Sequence, residues 1–327
     1  MSDLFCFLDG FGSGGPLNKS ILIVSVPAGS TVTATLGPQI KTAQEKNGEA
    51  WLRNLDVGEW TLKLTLGEQS ATAKYNIERF GVYRTSMAFF LSAADFVWGG
   101  TKGTDYEIFQ DDETVIPEGD YQKHKNWKAR IYTSITVTPN RDADIDVFLL
   151  GAGASGSSRE SGEGNFGSGS GSGYTKTLKN IQLTATTQYQ IEIGSGGPSV
   201  SGNGVSGKKG GNTSAFENTA EGGNQSIIIE SYASGGDGGS GGAGNGGKPG
   251  TDGSDGTGER PGKGQGATTR EFGEPDGKLY ANGGEFGESS PAEAVPNSGN
   301  GGDGAQGGAS GPGSSGIVVI RNAREVA

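Results

Sequence analysis

The sequence predicts an all-β protein in two parts, a small β-sandwich followed by a glycine-rich domain of packed, polyglycine II-like helices. Three observations carry this. In the first part, apolar residues alternate with polar ones at strict period two. Glycine is spread unevenly: 14 of the 63 glycines fall in residues 1–150, and the other 49 make up about 28% of the remaining 177 residues, against an ordinary usage of ~7%. Finally, glycine recurs at every third position from Gly235 to Gly256.

Taken in order, residues 1–16 form an N-terminal segment, and Cys6 sits there among Leu4, Phe5, Phe7 and Leu8 as a small buried hydrophobe. The sandwich, residues 17–91, begins with the apolar run Ile21–Val26. Val32, Ala34 and Leu36 then alternate with Thr31, Thr33 and Thr35. Trp60, Leu62, Leu64 and Leu66 continue in the same period, Gly67–Ser70 makes a turn, and Ala71, Ala73, Tyr75 and Ile77 return. Half-buried antiparallel strands joined by short turns read this way. Residues 92–125 read as a polar linker or loop region. Strands resume in the last domain, 126–327: Ala129–Val137 alternates, Ile145–Leu150 is a buried strand, 181–197 reads as a strand pair, and Ile227–Glu230 and Gly316–Arg321 are further apolar runs. A chain that ends in a strand after so much glycine is expected to fold back onto a sheet.

The three-residue period fits a left-handed extended helix with three residues per turn, which gathers its glycines on one stripe. Such a helix has no internal hydrogen bonds, so its N–H and C=O groups need partners on neighbouring segments. A collagen triple helix needs far more proline than the single Pro249 of this run. A flexible linker needs no strict period. At ~3.1 Å per residue the run is either one long rod or a shorter helix that doubles back. "TAEGG" (219–223), "YASGG" (232–236) and "YANGG" (280–284) repeat one pattern, as three short strands delivering the chain into glycine helices would.

Two resemblances add to this reading. "VPAGSTVTATLG" and "GEWTLKLTLGEQSATAKYNI" resemble the small immunoglobulin-like modules of phage and prophage tail proteins, over residues 17–91 with a last strand at Tyr83–Phe90. "IDVFLLGAGASG", "GGNTSAFENTAEGG", "KLYANGG" and above all the closing "SGIVVIR" resemble the glycine-rich C-terminal domains of phage tail fibres and tail-tip adhesins, over 126–327. The second resemblance implies a β-platform carrying stacked polyglycine II helices, with connecting loops that meet a host surface. Residues 267–298 depart from it by being poorer in glycine. The two resemblances together imply a virion protein, made in the host cytoplasm. Its partners are expected to be other tail proteins and a host-surface glycan or protein, and a homo-oligomer such as a trimer is allowed. On this reading the aromatic and charged residues isolated among glycines are the receptor-binding candidates: Arg159, Phe166, Arg270, Phe272 and Phe286. A purely structural virion component is the alternative, and a depolymerase the remote one.

Other chemistry is argued against. The stretch Gly151-Ala-Gly153-Ala-Ser-Gly156 matches a nucleotide-binding loop letter for letter, but "SSRESGEGNFGSGSGSG" comes next and cannot be the helix such a loop must open. A formal charge of −11, with nothing more basic than Lys123–Lys128, argues against nucleic acid or an anionic membrane as partner. A single histidine, His124, lies in a polar stretch and is read as an exposed loop residue. The acidic run Asp111–Glu113 lacks ligands at metal spacing. No catalytic, cofactor or metal site is therefore expected, and no membrane span.

Overall fold

The period-two stretches of the first part form seven strands in two sheets around one core. The structure is a computed structural model that describes residues 19–26, 28–66, 69–86, 96–117, 126–140, 142–160, 166–230 and 232–324. Cys6, His124 and residues 67 and 68 of the turn expected at 67–70 lie outside these, and Gln69 and Ser70 belong to a strand. The described chain is all-β, with a single 3-10 turn at Glu271–Gly273, and no helix in it is long and apolar enough to cross a membrane. It divides into two units, one taking in residues up to Asp95 together with 122–125, the other Phe96–Tyr121 and Asn126–Ala327.

In the first unit, β1 (Ser20–Ser25), β4 (Glu49–Leu55) and β7 (Val82–Ser86) form one sheet, with β1 central, antiparallel to β4 and parallel to β7. The other sheet has the order β3 (Gln39–Gln44), β2 (Thr31–Leu36), β5 (Gly58–Leu66), β6 (Gln69–Ile77). Alternation places Val32, Ala34, Trp60, Leu62 and Leu64 inward, where they meet Leu22, Val24, Leu52 and Leu55. Trp60 is fully buried, and its indole N–H donates to the Asp56 carbonyl at 2.9 Å, so no polar atom is stranded. Residues 87–90 of the expected last strand lie outside the described residues.

The second unit starts earlier than the sequence suggests. Within the expected linker, β8 (Phe96–Trp98) and β9 (Tyr106–Phe109) are strands, and Phe96, Tyr106, Ile108 and Ile116 are buried. Short strands in a polar stretch give too few repeats for the period to be read, and tertiary pairing decides them. One five-stranded sheet runs β14 (Thr175–Leu183), β12 (Ala143–Leu150), β21 (Ile317–Asn322), β10 (Lys128–Ile131), β9. The other runs β17 (Asn218–Ala220), β16 (Thr213–Ala215), β15 (Tyr189–Glu192), β11 (Ile135–Pro139), β8. The closing strand β21 thus lies between β12 and β10, with Ile317 to Ile320 buried. The expected strand pair in 181–197 does not form: β14 pairs with β12 and β15 with β11, in different sheets. Thr186, at φ 62°, turns the chain between them. The 280–284 repeat is not a strand either, because Tyr280 is drawn into a buried cluster with Phe148, Phe272 and Ile317.

Because β8 and β9 complete these two sheets, a fragment beginning at 126 exposes the edges of β10 and β11 and uncovers Ile108's buried contacts. A fragment of 126–327 is expected to aggregate or melt well below one of 96–327, as read by thermal unfolding with circular dichroism. Equal midpoints would show the two strands to be dispensable.

Between the strands the expected polyglycine II helices are not evident: the glycine-rich runs carry no regular helix, and main-chain bonds tie each to its neighbours. One series passes from Gly262 N–H to Gly242 C=O (3.0 Å), Gly242 to Gly236 (2.9 Å), Gly236 to Gly169 (3.1 Å), Gly169 to Ala243 (3.1 Å), Ala243 to Gly284 (3.0 Å), Gly284 to Ser170 (2.9 Å), Ser170 to Gly302 (3.0 Å) and Gly302 to Ala154 (2.8 Å). Backbones approach so closely that a Cβ on Gly153 would stand 1.8 Å from the Asn300 carbonyl oxygen. The three-residue repeat of 235–256 is not one rod. Gly241 bonds to Ser254 (3.0 Å) and Thr257 to Lys248 (2.8 Å), so the run folds back on itself through turns at Gly246 (φ 69°) and Gly253 (φ 85°).

Candidate functional site: the far turns of the glycine runs

The out-and-back course of these runs gathers several of their turns at the end remote from the sheets. Leaving β12, the chain bonds Gly151 N–H to Tyr174 C=O and Ser157 N–H to Ser168 C=O, so 151–158 and 167–174 run antiparallel and their far ends are distal. Ser158 and Val205 exchange main-chain bonds at 2.9 and 3.0 Å, and Gly207 bonds to Ser226 at 3.0 Å, which places the 199–205 turn and the hairpin of β18 (Ile227–Ile229) and β19 (Tyr232–Ser234) at the same end. Between them, β13 (Ser158–Arg159) pairs in parallel with β20 (Ala305–Gln306), bringing the 306–309 turn alongside. Loops held on a rigid scaffold are where proteins commonly place binding groups.

The five candidate residues separate into two groups. Arg159, Phe166 and Phe286 lie at the far turns. Phe166 and Phe286, half-buried, meet edge to face at 5.6 Å between ring centroids. Gly287, at φ 63°, passes within contact of the Phe166 ring; a Cβ there would be 3.1 Å from Phe166 Cβ. The Arg159 side chain is buried, and its Nη2 donates to the Glu230 carbonyl, tying the chain at 159 to the β18–β19 hairpin. The other two, Arg270 and Phe272, stand at the platform end. Arg270 pairs with Asp252 at 3.3 Å and donates to the Gly277 carbonyl at 3.1 Å. Phe272 is buried under the Arg321 guanidinium, 4.0 Å from its ring centroid, and packs with Phe148 at 6.3 Å.

Three exposed apolar side chains at the far turns escaped the sequence reading: Ile227, Ile229 and Tyr232, with Arg260 stacked 4.2 Å over the Tyr232 ring. The criterion of aromatic or charged residues isolated among glycines fits Arg260, between Gly258 and Gly262, but not Tyr232, which follows the apolar run at 227–229. It could not supply the fact that the chain brings positions 232 and 260 together.

At the platform end the glycine-poor segment around 271 forms the rim of a charged cavity of about 530 Å³, lined among others by Glu113, Lys128, Glu271, Glu274, Lys278 and Arg321. Glu271 is buried, and Arg130 Nη2 (2.7 Å), Lys128 Nζ (3.3 Å) and the Tyr280 hydroxyl (3.3 Å) all reach it. Burial pushes the Glu113 carboxyl up, but hydrogen bonds from Arg130 and Lys128 outweigh that and hold it at about 2. The Arg321 guanidinium likewise holds Glu274 below the usual carboxylate range. Carboxylates locked in ion pairs and ionised far below neutral pH are poor proton donors, so Glu113 and Glu274 are unsuited to general acid catalysis at pH 7. Among the described residues no group of three His, Cys, Asp or Glu side chains is placed to hold a metal ion.

Strands that feed tightly bonded glycine runs out and back define a glycine-rich β protein. The family model described as Glycine-rich domain matches residues 131–323, more than half of the chain, and the chain belongs to that family. No curated protein matches. Among solved structures, a DUF3823 family protein from Bacteroides ovatus is similar at 8% identity over 64% of this chain and 97% of that one, with a TM-score of 0.18, a likeness too low to carry any argument.

Proposed function

We propose that this chain is a non-enzymatic tail fibre or tail-tip protein of a phage or prophage particle that recognises a host surface through the far turns of its glycine-rich domain. The glycine runs pack in the manner of polyglycine II, and the first unit is an immunoglobulin-like spacer or attachment module. The observation that carries this reading is the gathering of several turns, with aromatic side chains among them, at one end of a scaffold held by main-chain hydrogen bonds. A site on a preorganised scaffold loses little conformational entropy on binding. The receptor-binding candidates this favours are Phe166 and Phe286, which pair across two turns. Arg159, Arg270 and Phe272 are accounted for by their contacts within the chain.

The test uses fluorescently labelled full-length protein on a panel of intact Gram-positive and Gram-negative bacteria. At least one strain is expected to bind, and Phe286→Ala is expected to weaken that binding about tenfold, the equivalent of ~1.4 kcal/mol, with the thermal midpoint close to wild type. If no strain is bound while the protein is still incorporated into particles, the chain is a purely structural component and the proposal fails.

A further inference from the structure

The β18–β19 hairpin is a two-stranded ribbon whose two faces differ. Its register pairs Ile229 with Tyr232 and Ile227 with Ser234, so Ile227, Ile229 and Tyr232 share one face, at 43%, 50% and 48% exposure. The opposite face carries Ala233, buried, and Ile228, half-buried next to Gly204. A hairpin with one face already packed needs no second apolar face for its own stability, and side chains standing on that face cost hydration. Arg260 adds a second feature. Its guanidinium carbon stands over the Tyr232 ring, 4.2 Å from the centroid, and among the described residues it has no carboxylate partner, in a chain with 37 acidic side chains and only 26 Lys and Arg. Arg260 is exposed, and a guanidinium carries a fork of N–H donors that matches a carboxylate bidentately.

We infer that this face, Ile227, Ile229 and Tyr232 with Arg260, is a docking site for a protein that presents a carboxylate side chain beside apolar ones. The inference rests on the host-recognition reading and specifies the class of receptor. Two observations select a protein over a saccharide. First, half of the patch is β-branched aliphatic surface, against which a sugar's hydroxyl groups would lose water without gaining hydrogen bonds. Second, aliphatic side chains around a Tyr and an Arg are the composition of a protein–protein interface centre, where charged residues other than Arg are depleted. The orphan guanidinium sets the charge of the partner: a bidentate pair with Asp or Glu satisfies it, and an apolar or basic surface leaves it desolvated and unpaired.

The experiment takes a bacterial strain that binds the labelled full-length chain and compares untreated cells, cells shaved with proteinase K and cells oxidised with periodate. Binding is expected to fall at least tenfold after protease and to survive periodate. Ile229→Asp and Arg260→Glu are each expected to weaken binding at least tenfold, and Arg260→Lys to fall between, since an ammonium keeps the charge but loses the fork. Unchanged thermal midpoints establish that the variants fold; both side chains are exposed, so neither substitution disturbs a core. Binding that survives protease and is lost to periodate overturns the inference in favour of a glycan, and wild-type binding by both ribbon variants overturns it outright. If no strain binds the wild-type protein, the host-recognition reading itself fails, and the inference falls with it.

Discussion

Gly171→Ala is expected to lower the thermal midpoint of the glycine-rich unit by roughly 6–12 °C, the shift that ~3 kcal/mol produces in a unit of this size. The reason is steric. A Cβ at position 171 would lie 2.0 Å from the Asp237 carbonyl oxygen and 2.3 Å from its carbon, and both are backbone atoms that no rotamer change can move aside. Relief requires separating the runs, which sacrifices the bonds from Gly171 N–H to Asn224 C=O (3.0 Å) and from Ala154 N–H to Gly171 C=O (3.1 Å). Buried main-chain groups left without partners then add their desolvation cost to the overpacking. Gly246→Asn is the matched control. Position 246 has φ 69° and nothing within 4 Å of its Cβ, and asparagine tolerates the left-handed region better than most residues, so a shift below about 1 kcal/mol is expected there. Calorimetry of the full chain reads both. A Gly171→Ala midpoint within a degree of wild type would mean that the runs are not packed this closely.

The second large effect is electrostatic. Arg130→Met is expected to cost about 3 kcal/mol, because it leaves the Glu271 carboxylate buried without its guanidinium. Arg130 binds Glu271 at 2.7 Å and also pairs with Glu113, so one side chain ties the 271 segment and the 113 turn to β10. The double variant Arg130→Met with Glu271→Gln is expected to recover more than half of the loss, since no uncompensated charge then remains in the core. The same cluster sets the acid limit. Glu113 has a folded value of about 2 against an ordinary 4.5, so its contribution is fully present above 4.5 and is lost as pH falls from about 4.5 to about 2. Glu274 and Asp111, held down by Arg321 and Arg324, act in the same direction. Acid titration followed by near-ultraviolet circular dichroism is expected to show the wild-type transition in that window. If Glu113→Gln leaves that transition where it was, the paired carboxylate does not govern acid stability.

Much of the architecture was legible in the sequence where a pattern repeats often enough. The alternation of Val32, Ala34, Trp60, Leu62 and Leu64 placed those side chains in the core, because the period of a strand leaves each residue only two directions to point. Ile317–Ile320 announced a buried strand by being apolar without alternation, and it lies between two others. Strands β8 and β9 were illegible, since three or four residues in a polar stretch carry almost no period. The strand pair read in 181–197 failed for another reason: local spacing fits a hairpin equally well, and pairing with β12 and β11 settled where each strand went. Of the candidate site residues, isolation among glycines identified Phe166 and Phe286 but not that they touch, and it also picked Phe272, whose ring is buried under Arg321.

By itself, then, the sequence determined the class of the chain and the places where backbones must approach closely, because a missing Cβ is a local fact that any neighbour can exploit. Which backbones approach was decided only by the tertiary structure. Gly171 meets Asp237, and Arg260 lies over Tyr232, through hydrogen bonds between runs far apart in sequence, and no local pattern encodes such pairings. Glycine makes close packing sterically allowed, and the directionality of main-chain hydrogen bonds selects the partners.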